Sequence, residues 1–170
     1  MHFELLHLCF NMFGLYSLGP LIVSTFGPAG FLALWVGSSL ACDSATLYWD
    51  WLGEQAQLAR FARIKSDMLL FRARVGQIVE TQSIGASGSV LGFFTAFVCM
   101  MPKAKIFLFP IPVQMPAWTG LGVFVVGSVY CLVNGVLPQI GHVGHLGGMA
   151  FGAAWYFTQG RRILRKLGRF

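Results

Sequence analysis

Ser83-Ile84-Gly85-Ala86-Ser87-Gly88-Ser89 heads an uncharged run from Thr81 to Pro102, bounded by Glu80 and Lys103. About 20 apolar residues suffice to cross a bilayer as a helix, so this stretch predicts a transmembrane helix with Ser87 near its start. Gly85 and Gly88 frame the serine, and small residues let a second backbone come close. A serine so placed becomes chemically interesting only beside a base. The chain supplies candidates in other apolar segments: His7, His142 and His145.

The rest of the chain shares this character. Of its 170 residues, 56% are hydrophobic and 11% charged, with a mean hydropathy of +0.68. Soluble domains average about 25% charged residues, so the composition indicates an all-α polytopic membrane protein. The net charge of +6 does not point to nucleic acid, because Arg161, Arg162, Arg165, Lys166 and Arg169 crowd the C-terminus beyond a hydrophobic span. A tail of that kind is a positive-inside anchor beside the lipid bilayer. Cys9, Cys42, Cys99 and Cys131 lie in apolar segments, with neither metal-ligand nor disulfide spacing. The cysteines are expected to bind no metal. No basic region precedes the first apolar run, so no signal peptide is expected either.

Leu5 to Cys42 carries no Asp, Glu, Lys or Arg. It is too long for one span, and Gly27-Pro28-Ala29-Gly30 offers the break. The expected helices are 3–25, 29–49, 83–101, 118–136 and 141–159, five spans within a core of residues 1–160, followed by a basic tail at 161–170. Tyr48, Trp49 and Trp51 read as an aromatic belt at an interface. Between the second and third spans, 50–82 reads as an amphipathic surface connection. Its apolar residues from Leu58 to Ile78 recur every three or four positions, with Arg60, Arg63, Asp67 and Arg74 between them. Pro102, Pro110, Pro112 and Pro116 bar a regular helix around 107–116, where a loop or extended strap is expected.

With five spans, the first, third and fifth start from the same side, and the polar residues of their first halves share a depth. His7 and Asn11 are on the first, Ser87 on the third, His142 and His145 on the fifth. Ionisable groups at membrane depth are costly and face a cavity or one another. His7 and Asn11 share a helix face, as do His142 and His145. Gly88-x-x-x-Gly92 and Gly144-x-x-x-Gly148-x-x-x-Gly152 can pack backbone to backbone, which would bring a histidine to Ser87. The chemistry would be a serine–histidine dyad, with Asn11, His7 and the Ser87 backbone N–H as oxyanion donors. Asp43 and Asp50 are read as interface charge. Membrane histidines also serve as metal or haem ligands or as proton relays, and a channel or transporter would fit the hydropathy.

The set His7-x-x-x-Asn11, Gly85-Ala86-Ser87-Gly88 and Gly141-His142-Val143-Gly144-His145-Leu146-Gly147-Gly148 resembles the rhomboid family of intramembrane serine proteases. Asn11-Met12-Phe13-Gly14-Leu15-Tyr16-Ser17-Leu18-Gly19-Pro20 and 104–113 resemble its mitochondrial, presenilin-associated branch. The resemblance implies Ser87 as nucleophile, His145 as general base, and His7, Asn11 and Ser87 as oxyanion-hole partners. Gly85, Gly88, His142 and Gly148 would line or pack the cavity. It implies a rhomboid-like helical bundle lacking the first of six core helices, with membrane-anchored protein substrates and a place in the mitochondrial inner membrane. It also implies that the chain needs no metal and no cofactor. The competing expectation is a catalytically inactive relative that binds transmembrane segments.

Overall fold

The computed structural model describes residues 2–63, 86–108, 111–136 and 141–168. Helix α1 (His2–Arg63) breaks its own course at Gly27, whose φ of 75° and ψ of 172° lie outside the helical region. Only glycine adopts that conformation cheaply, and Pro28 then restarts the helix with its φ already fixed. The contact between Gly19 and the Phe31 ring shows that the arms, 2–26 and 28–63, fold back on each other. The second arm does not end at Trp49, where the sequence reading closes the second span. It runs unbroken to Arg63, so 50–63 continues the helix beyond the aromatic belt. The remainder of the expected amphipathic connection lies outside the described residues.

Helix α2 (Ala86–Met100) is short and almost wholly buried, the central post of the bundle. It is followed by an antiparallel hairpin, β1 (Lys105–Leu108) and β2 (Ile111–Pro116), with Lys105 opposite Pro116 and Ile106 opposite Met115. This is the extended strap that the prolines require. Helix α3 (Ala117–Asn134) ends on Gly135, whose φ of 64° supplies a left-handed cap. Helix α4 (His142–Trp155) passes into a π-helical turn (Tyr156–Gly160) and then α5 (Arg161–Lys166), so the first part of the basic tail continues the helical run of α4.

Two kinds of contact hold the bundle. At the end near Gly27 the packing is aromatic: Phe26 meets Trp155 edge-on at 5.1 Å, and fully buried Phe93 lies 5.0 Å from Phe31 and 5.8 Å from Trp35. Near Ser87 the packing is by small residues. A Cβ built on Gly148 would lie 2.8 Å from Gly88 Cα, and one on Gly152 2.8 Å from Gly92 Cα. The two pairs are four residues apart on each helix, so α2 and α4 run parallel in fixed register. Val126, Tyr130 and Val133 along α3 stand exposed, as do Tyr16, Leu40 and Leu47 on α1. Apolar residues turned outward along whole helices suit a lipid solvent. By length and composition, the His7–Ala56 stretch and Ala117–Asn134 qualify as membrane-crossing, with Ala86–Met100 a shorter apolar helix.

Candidate active site

Ser87 is the second residue of α2, and its backbone N–H falls among the first four of the helix, which have no intrahelical acceptor. The side chain is 9% exposed. The glycine register of α4 sets what faces it. With Gly148 seated on Gly88, His145 lies less than one turn further toward the helix start and reaches across. His145 Nε2 stands 3.1 Å from Ser87 Oγ, within hydrogen-bond range. The His142 ring lies near-perpendicular to that of His145, 6.5 Å away between centroids. Its Nε2 is buried and has no hydrogen-bond partner among the described residues.

The first arm of α1 brings the second pair. Asn11 Nδ2 donates to His7 Nε2 at 3.2 Å, which puts the His7 proton on Nδ1. An amide nitrogen carries two protons, so one remains for another acceptor. His7 and Asn11 line a cavity of about 280 Å³ with Leu8, Met12, Leu15, Trp35, Ala86 and Val90. Ala86 in that wall adjoins Ser87 in the chain, so the amide and the serine open toward neighbouring space. Gly85 lies outside the described residues. No group of three or more metal-ligating residues occurs among the described residues.

The second arm of α1 has a part that the sequence reading passes over. Gly37, Ala41 and Ala45 form one small-residue row, and Ser38, Cys42 and Thr46 form another. A Cβ on Gly88 or Gly144 would run into Cys42, and one on Gly147 into the Ala41 carbonyl. Ser89 Oγ donates to the Trp35 carbonyl at 2.8 Å and shares a 2.5 Å hydrogen bond with Ser39 Oγ. These bonds fix the rotation of α2 on α1, and therefore the direction of Ser87. Thr46 Oγ1 donates to the Cys42 carbonyl at 3.0 Å, so its polarity is satisfied within its own helix. The signal was present in the sequence: small residues at 38, 42 and 46, and at 37, 41 and 45, repeat at helical spacing.

A family model of the rhomboid domain matches residues 1–162. The chain belongs to the rhomboid family. It is therefore an integral membrane protein with a helical fold, and its curated relatives fall in the mitochondrial branch. Rhomboid protein 1, mitochondrial, of Saccharomyces cerevisiae is 30% identical over 99% of this chain and 44% of its own length. RHOMBOID-like protein 12, mitochondrial, of Arabidopsis thaliana is 31% identical over 91% of this chain and 43% of its own length. Presenilin-associated rhomboid-like protein A, mitochondrial, of Danio rerio is 27% identical over 96% of this chain and 36% of its own length. This rhomboid chain thus spans roughly two fifths of the length of the curated relatives it matches. No solved structure matches it significantly.

Proposed function

We propose that this chain carries the catalytic core of an intramembrane serine endopeptidase that cuts membrane-anchored proteins within or next to the bilayer. The observation that carries the reading is the 3.1 Å approach of His145 Nε2 to Ser87 Oγ. His145 takes the Ser87 proton as Oγ attacks the scissile carbonyl, forming a C–O bond. The negative charge that develops on the carbonyl oxygen is met by the Ser87 backbone N–H at the positive helix end and by the second Asn11 amide proton. His7 fixes the amide by accepting its other proton. The C–N bond then breaks, and His145 returns its proton to the leaving amine. A water repeats the sequence on the Ser87 ester, giving its proton to His145 and releasing the acid. Among the described residues no carboxylate hydrogen-bonds His145, so the proposed engine is a dyad.

In this reading both arms of α1 together with α2, α3 and α4 cross the bilayer, five spans in a core of residues 1–160. Gly88 and Gly148 set the packing, and His142 lines the cavity beside the base. The mitochondrial names of the relatives support a place in the mitochondrial inner membrane. Fluorophosphonate labelling of detergent-solubilised protein tests the proposal. Wild type should label, whereas Ser87→Ala and His145→Ala should not, with membrane insertion unchanged in all three. Absence of labelling in wild type, with cleavage of a single-pass reporter equal in all three, would replace the protease reading with that of an inactive binder.

A further inference from the structure

The end of the bundle opposite Ser87 carries a cavity that the chemistry above does not use. It measures about 440 Å³ and is lined by Cys99, Tyr156, Phe157, Arg161 and Arg165. It is open to the surface, since Phe157, Arg161 and Arg165 are exposed, and at about 30 Å³ per water it has room for a dozen or more waters.

Its walls come from the end of α2, the π turn and α5. In the π turn the Arg161 N–H reaches back five residues to the Tyr156 carbonyl. That extra residue changes the helix phase between α4 and α5. Gly160 stays against the Trp155 and Phe26 rings and Leu164 stays buried, while Arg161 and Arg165, one turn apart, border the cavity. Arg161, itself exposed, lies over the Phe157 ring, its Cζ 5.8 Å from the centroid, a contact that favours this position of the guanidinium beside the cavity. Phe157 itself is 56% exposed, an apolar surface beside two cations.

The charges at this end are one-sided. All six aspartates and glutamates lie between Glu4 and Glu80. The three whose side chains are described, Asp43, Asp50 and Glu54, all belong to the second arm of α1. Two guanidiniums bordering one cavity suit phosphate oxygens, each being able to bind them bidentately. Among the described residues no carboxylate lines the cavity, so none there offers an ammonium headgroup an ion pair. The neighbouring exposed aromatic suits an acyl chain or glycerol backbone.

We propose that this cavity is a binding site for the phosphate of an anionic phospholipid that lacks an amine, clasped by Arg161 and Arg165 with its glycerol end against Phe157. The site is distinct from the diffuse attraction of a basic tail, because Arg162 and Lys166 carry the same charge on the same helix without lining the cavity.

The test is native mass spectrometry of the full chain, purified with equal amounts of phosphatidylglycerol and phosphatidylcholine. Wild type should retain one phosphatidylglycerol in preference to phosphatidylcholine. The double variant Arg161→Gln, Arg165→Gln should lose that retention by about tenfold or more, since bonds to a charged partner are removed. The charge-matched variant Arg162→Gln, Lys166→Gln should keep it. Equal loss in both double variants would reduce the site to tail charge and overturn the proposal. So would displacement of the lipid by inorganic phosphate alone, which would assign the cavity to a free anion, or equal retention of the two lipids. Thermal unfolding in phosphatidylcholine should match wild type for both variants, and a collapse of either would be replaced by Arg→Lys pairs. Those keep the charge and should weaken retention only at 161 and 165.

Discussion

Gly148→Ala tests whether the glycine register holds the site together. A Cβ at 148 would lie 2.8 Å from Gly88 Cα and 2.9 Å from its carbonyl carbon, whereas ordinary contact begins at 3.4 Å. The atoms in the way are backbone, so α2 and α4 must part by about half an ångström or more at this level. Ser87 and His145 sit within one turn of that contact, one on each helix. Their 3.1 Å separation would open by a similar amount, to about 3.6 Å or more, beyond the range in which a hydrogen bond forms. Overpacking of this kind costs about 1–3 kcal/mol of stability. A misplacement near 1 Å costs about a hundredfold in rate, so cleavage of a single-pass reporter should fall by about ten- to a hundredfold. The assay is reporter cleavage in proteoliposomes beside fluorophosphonate labelling and a thermal melt. Gly127→Ala on α3, where a Cβ meets nothing within 4 Å, serves as the matched control. Full labelling and cleavage by Gly148→Ala would refute the argument that backbone contact between α2 and α4 sets the dyad.

Asn11→Ala removes one proposed oxyanion donor and should lower kcat by about a hundred- to a thousandfold, with fluorophosphonate labelling reduced less than turnover. His7→Ala should lose less than Asn11→Ala, because His7 acts by holding the amide; the reverse order in the same cleavage assay would make His7 the donor. Ser38 is fully buried and its Oγ has no hydrogen-bond partner among the described residues, so Ser38→Ala should leave the melting temperature unchanged or raise it. Phe93→Ala should cost about 3–5 kcal/mol, seen as a lowered denaturation midpoint, because the ring is fully enclosed between Phe31 and Trp35.

Much of the site was legible because its residues obey strong local rules. The kink follows from Gly27-Pro28, the extended strap (though not its pairing into a hairpin) from the prolines, and the α2–α4 contact from two glycine rows spaced by four. Together these bring a histidine of the last span toward Ser87, and the rhomboid resemblance is what singles out His145 over His142. The end of the second arm was not legible, because the fall in hydropathy after Trp49 marks a change of solvent, not a break in the backbone ladder; Gly53 is tolerated within it. The small-residue rows at 37–46 were hidden by chemistry, since Cys42 and Thr46 do not look like spacers until Gly88 and Gly144 lie against them. The π turn has no residue signature at all: Tyr156-Phe157-Thr158-Gln159-Gly160 would extend an α-helix equally well, and only the packing of Gly160 and Leu164 selects the wider turn.

The single residue that joins the two arms of α1 also bears on how the chain enters a membrane. A reversal made by Gly27 alone contains no polar linker, so no hydrated segment has to be dragged through hydrocarbon between the two arms. Nor does the turn carry any lysine or arginine to declare which side it belongs to. In the proposed topology the pair goes in as one hairpin, and its orientation is set by basic residues outside the turn, among them Arg60 and Arg63 at the end of the second arm, the lysines of the strap and the arginines of the tail.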